Sequence, residues 1–227
     1  MKNRKLFWII FCALALAVLL TAGFGIWRAV IAPRRALDLN HLSAQDTDAL
    51  YSQKNKRKND TPAGLNTLLG PLRDSRLAFN GNAFAESAPP AGQEGAGAFL
   101  DREWVLTDKE TYDKLHQDPE MQRDLQVRAL IKLALTQNCE RVCFSVEYAA
   151  LPEGGDIARY MEANGGAGRV RGEGGYTLTF SADWASRAIG RDIKAVAASR
   201  AEFQAFVQEL ELFEPIDALI VPGAGRR

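Results

Sequence analysis

The chain has 227 residues, in which 28 basic and 28 acidic side chains cancel, with apolar and charged shares of 47% and 25%. These proportions exclude a disordered chain and supply a core, while zero net charge provides no whole-protein field to gather nucleic acid. Three cysteines and two histidines exclude a disulfide-built scaffold and leave few residues for a metal site, so neither metal nor cofactor is expected.

Residues 1–5 carry Lys2, Arg4 and Lys5 and read as a short cytoplasmic amino terminus. Residues 6–27, LFWIIFCALALAVLLTAGFGIW, hold no charged side chain. About twenty helical residues cross a hydrocarbon core about 30 Å thick, so this run predicts a transmembrane anchor in contact with lipid. A cleaved signal peptide is the competing reading, since the start is basic and Thr21-Ala22-Gly23 suits cleavage. The run exceeds the apolar region of about 7 to 15 residues usual in such peptides, which favours the anchor. Arg28, Arg34 and Arg35 after the run nearly balance the basic residues before it, and the amino terminus tips the count inward.

Residues 28–42 read as a stalk, 43–222 as one compact domain and 223–227 as a tail. A domain of about 180 residues suits a single core, and a chain truncated near His41 is expected to fold alone. Ser43 caps a first helix. The run Lys54-Asn55-Lys56-Arg57-Lys58 reads as a solvated loop. Leu65, Leu68, Leu69 and Leu72 repeat at helical spacing behind Pro62, and residues 77–84 suit a strand. Residues 86–98, rich in Ala, Gly and Pro, read as a loop, and residues 102–106 as a strand. Thr107 and Glu110 suggest a capping box for a short helix that Asp118-Pro119 interrupts and restarts.

In the second helix Val127, Leu130, Ile131, Ala134 and Leu135 form an apolar stripe, with Arg123, Asp124, Arg128 and Lys132 expected off it. In the strand that follows, Val142, Phe144, Val146 and Tyr148 alternate with Arg141, Cys143, Ser145 and Glu147, giving one buried and one polar face. A small helix over 156–163 and a glycine-rich span over 165–175 lead to a strand over 176–180. Ser181 caps a helix ending at Gly190, and Ser199 with Glu202 caps the last one, whose Phe203, Phe206, Val207 and Leu210 face inward. Residues 216–221 read as an edge strand or a packed tail. The predicted fold is α+β: one amino-terminal transmembrane helix, then a small, mainly antiparallel sheet packed by helices.

Candidate chemistry is sparse. Cys139 and Cys143 are a candidate disulfide pair only if a tight turn separates them, because four extended positions span about 13 Å and a bridge needs under about 7 Å. Two unpaired thiols are the alternative. Ser145 and Glu147 on the polar strand face, with Arg169 and Arg171 among the glycines, are the candidate ligand or partner surface. The two arginines suit an anion, but the order of glycines is not that of a phosphate-binding loop, so a flexible connector is the competing reading. Ser145 has no G-x-S-x-G around it, and Glu110, Asp113, Glu120 and Asp124 lie among lysines and arginines as a solvated helix face would. No catalytic residue is assigned.

Leu50-Tyr51 through Lys54 to Asp60 with Leu65, Leu68, Leu69 and Leu72; Ala129 to Ala134 running through Asn138 into Val142 and Val146; and Trp184, Gly190, Arg191-Asp192 with Phe203 to Val207 together form a pattern. It resembles the bacterial domain-of-unknown-function family 4825. The resemblance implies a cell-membrane protein with its carboxy-terminal domain outside the cytoplasm. Some members carry metallopeptidase modules, but H-E-x-x-H is absent from this sequence, so no peptidase activity carries over. The expected function is a single-pass, membrane-anchored extracytoplasmic sensor or protein-interaction domain with a protein partner. A structural, assembly or inhibitory role toward a membrane protein is the alternative, and an unrecognised hydrolase the second.

Overall fold

A computed structural model describes residues 37–54, 65, 68–69, 76–87, 98–137, 139–151, 155–165, 168–216 and 219–221. The apolar run 6–27, the stalk as far as residue 36, most of the charge cluster and the tail lie outside these residues. Among the described residues no helix is long and apolar enough to cross a membrane.

The domain is α+β, with a five-stranded mixed sheet in which spatial order follows chain order. Its elements are α1 (Ala44–Tyr51), β1 (Leu77–Ser87), β2 (Ala98–Asp108), α2 (Lys109–Lys114), α3 (Pro119–Leu135), β3 (Cys139–Ala149), α4 (Ile157–Gly165), β4 (Gly174–Ser181), α5 (Ala182–Ile189), α6 (Arg200–Leu210) and β5 (Leu219–Val221). Three of the neighbouring pairs are antiparallel, as expected of the sheet, but β2 and β3 run parallel. The reason lies between them: the 17-residue α3 carries the chain back along the sheet, so β3 starts again at the end where β2 started.

Local sequence explains the helix ends. Ser43 and Ser199 close capping boxes with Asp46 and Glu202, and Ser181 accepts the Trp184 N–H. Gly190 ends α5 at φ 71°, a left-handed position that suits glycine. The cap of α2 is Asp108, one residue beyond the expected Thr107. Thr107 remains in β2 with its hydroxyl on the Arg76 carbonyl, so the Asp108 carboxylate takes the Thr111 N–H at 2.8 Å.

The main core lies on one sheet face. Val105, Val142, Phe144, Val146, Leu178 and Phe180 pack with Leu130, Ile131 and Ala134 of α3, Trp184 of α5 and Phe203, Phe206 and Leu210 of α6. Leu65 and Leu69 join them, and so do Leu37, Leu39 and Leu42. The last three correct the stalk reading, because its final residues are core. A second correction concerns α3. From Leu125 to Leu135 every residue is buried, including Arg128 and Lys132, so the two cations expected on its wet side lie inside the domain. Lys132 donates to Glu103 of β2 at 2.8 Å, and Arg128 to Asp124 at 3.0 Å.

Candidate functional site

Alternation along β2, β3 and β4 puts Arg102, Trp104 and Leu106, then Cys143, Ser145 and Glu147, then Thr177 and Thr179 on the sheet face turned away from α3. One end of this face is apolar. There Leu106 and Ala149 pack with Ile157 of α4 and with Val170, forming a small second core. The other end is polar: Cys143 Sγ lies 3.3 Å from Thr179 Oγ1, and Ser145 Oγ lies 3.2 Å from Thr177 Oγ1. Cys143 and Ser145 are nonetheless buried. They are short side chains on a central strand, and register sets Arg102 and Trp104 beside them on β2 and the two threonines beside them on β4.

The glycine-rich span is docked onto this face. Asn80, buried at an irregular step of β1, donates to the Val170 carbonyl at 2.7 Å and accepts the Val170 N–H at 2.9 Å. Glu147 pairs with the Arg169 guanidinium and accepts the Gly172 N–H at 3.2 Å. A Cβ at position 172 would fall 2.5 Å from the Glu147 Cβ, so only glycine fits this approach. The Arg169 guanidinium also lies 4.4 Å from the centre of the Trp104 ring, within cation–π range. The connector reading is thus corrected over residues 168–175, and Arg169 is spent on Glu147 instead of standing ready for an anion.

Of the residues expected to form a binding surface, Ser145, Glu147 and Arg169 meet here. Arg171 is exposed, and among the described residues no hydrogen bond or ion pair joins it to them. Cys139 and Cys143 are thiols on one continuous strand. The tight turn that a bridge would need is absent, and the extended span exceeds bonding reach. Ser145 pairs with Thr177, whereas His41 pairs with Glu211 at 3.1 Å, so this geometry does not assemble Ser145 and His41 as nucleophile and base. Glu110 and Asp113 are exposed and pair with Lys114 and Lys109 one turn away, as a solvated face does. Among the described residues no cluster of three metal-ligating side chains occurs.

Sequence reasoning missed Arg102 and Trp104. The Arg102 guanidinium lies 5.9 Å from the Trp104 ring centre, and its buried Nε has no hydrogen-bond partner. Trp104 therefore has two guanidinium groups beside its ring, and among the described residues only that of Arg169 has a carboxylate partner. The signal was present in Arg102-Glu103-Trp104-Val105, where alternation sets an arginine and an aromatic on one side of a strand. Comparison of the chain with protein-family models, characterised proteins and solved structures found no match.

Proposed function

We propose that this is a single-pass cell-membrane protein anchored by residues 6–27, whose extracytoplasmic α+β domain senses or binds a protein partner through the sheet face around Trp104. The observation that carries the reading is this face itself: an aromatic ring beside a guanidinium with no carboxylate partner among the described residues and a row of hydroxyl groups, opposite the helix-packed core. Aromatic and arginine side chains together are the types that most often anchor interfaces. The uncharged run 6–27, the basic residues before it and the resemblance to family 4825 support the membrane placement.

Two measurements test it. Protease added to intact cells removes the carboxy-terminal domain if it lies outside, and full protection rejects that placement. A photo-crosslinker at Thr177 then captures a discrete partner that the same group at Arg187, exposed on α5, does not. Identical bulk proteins from both positions reject the interaction face.

A further inference from the structure

We propose that this face binds an acidic peptide segment of the partner, with Arg102 holding one of its carboxylates. The proposal rests on the interaction reading above and adds the chemistry of the partner.

The argument starts from charge. Among the described residues of this face Glu147 neutralises Arg169, whereas Arg102 meets the Trp104 ring, its Nε has no acceptor and no carboxylate pairs with it. An unsatisfied buried donor is costly, and for a guanidinium the partner that recovers most is a carboxylate or phosphate oxygen, bound in a planar two-point fork. Arg141, on the same face of β3 one step from Cys143, is a second cation with no carboxylate partner among the described residues, and two cations match a short run of carboxylates. Nucleic acid or a polyphosphate would need a longer track of cations, and the strand beyond, β4, supplies hydroxyls in their place.

Those hydroxyls favour a peptide. Among the described residues the half-buried Thr177 and Thr179 pair only across the strand, with Ser145 and Cys143, and a hydroxyl can both donate and accept beyond one such contact. Backbone N–H and C=O groups of an extended segment need such a mixed row. Register also sets Gly81 opposite Trp104 and Ala83 opposite Arg102, so the residue types beside the arginine on β1 are small and uncharged.

The test uses the full chain in nanodiscs of zwitterionic lipid and a fluorescein-labelled hexaglutamate peptide, followed by anisotropy. Hexaglutamate binds, and its affinity falls as salt is raised. Arg102→Gln weakens it about tenfold or more, Arg102→Lys weakens it less because the fork is lost and the charge kept, and Arg187→Gln leaves it unchanged. Thermal melts of the variants separate lost binding from lost folding, and Arg102→Lys keeps the test open if Arg102→Gln unfolds. Three results overturn the proposal: undiminished binding by folded Arg102 variants, equal binding of hexaglutamine, or displacement of the peptide by an equal concentration of inorganic phosphate. If the Thr177 crosslink to a discrete partner persists in a chain that fails this test, the acidic-peptide proposal falls and the interaction reading stands.

Discussion

The buried charges are where single residues matter most. Glu103 is 2% exposed and Lys132 0%, and their 2.8 Å contact lies between β2 and α3. Burial alone would raise the Glu103 pKa, but the Lys132 ammonium and the Arg128 guanidinium outweigh it and hold the carboxyl below its ordinary value. Lys132→Met strands that carboxylate in the core and should cost about 3–5 kcal/mol in denaturant unfolding, whereas replacing both partners by apolar residues of similar volume costs much less. The pH dependence has a definite sign. A depressed folded-state pKa means that the unfolded chain binds more protons, so the stabilisation is complete above the ordinary value of 4.5 and is lost as pH falls through the depressed one. Glu103→Gln therefore flattens the fall in melting temperature below that pH. It does not abolish the fall, because Asp108 is held low too, by Thr111 bonds that outweigh its burial; an unchanged acid slope would refute the assignment. None of this was legible in α3. Its apolar stripe predicts one buried face, and only the sheet and the segments packed around the helix bury the other.

Among the elements, what is local was readable and what is distant was not. Ser43, Ser181 and Ser199 announce their helices because a cap is decided within three residues. Ser199→Ala should cost about 1 kcal/mol, with fraying of α6 visible as faster amide exchange in its first turn. The parallel pairing of β2 with β3 depends on where α3 returns the chain, and no strand pattern encodes that. Asn80 is the plainest case: a polar residue in a strand, whose meaning is set by Val170, 90 positions away. Its two buried bonds hold the glycine-rich segment over Leu106 and beside Glu147. Asn80→Ala leaves the Val170 N–H and carbonyl buried without that partner and should cost about 2 kcal/mol. Exchange should accelerate over residues 168–172 well before it does in α3. If both segments change together, the segment is not an independently opening unit and the clamp is only one bond among many.

For the whole molecule, the question is where the domain begins. Composition placed its start at residue 43 because Pro33, two arginines and a mixed sequence suggest a stalk, and nothing periodic marks Leu37, Leu39 and Leu42. The three leucines are 8%, 2% and 9% exposed within the main core. Their spacing follows a turn at Leu39 and Asn40, closed by the His41 N–H on the Asp38 carbonyl, instead of a helix or strand, and that is why a period search passes over them. Asn40 also binds Arg123, whose guanidinium reaches the Leu210 carbonyl at the end of α6 at 2.7 Å, so this segment is tied to two helices. At about 1.5–3 kcal/mol per buried leucine, removing all three forfeits roughly 5–9 kcal/mol, comparable with the entire stability of an ordinary domain. A chain beginning at Ala36 should therefore melt cooperatively. One beginning at His41 should be markedly destabilised, and one beginning at Ser43 should be largely unfolded or melt tens of degrees lower by circular dichroism. Equal melting of all three would mean that the leucines cover the core without stabilising it. If instead the predicted order holds, the folded domain starts at the turn that carries Leu37, Leu39 and Leu42, ahead of residue 43.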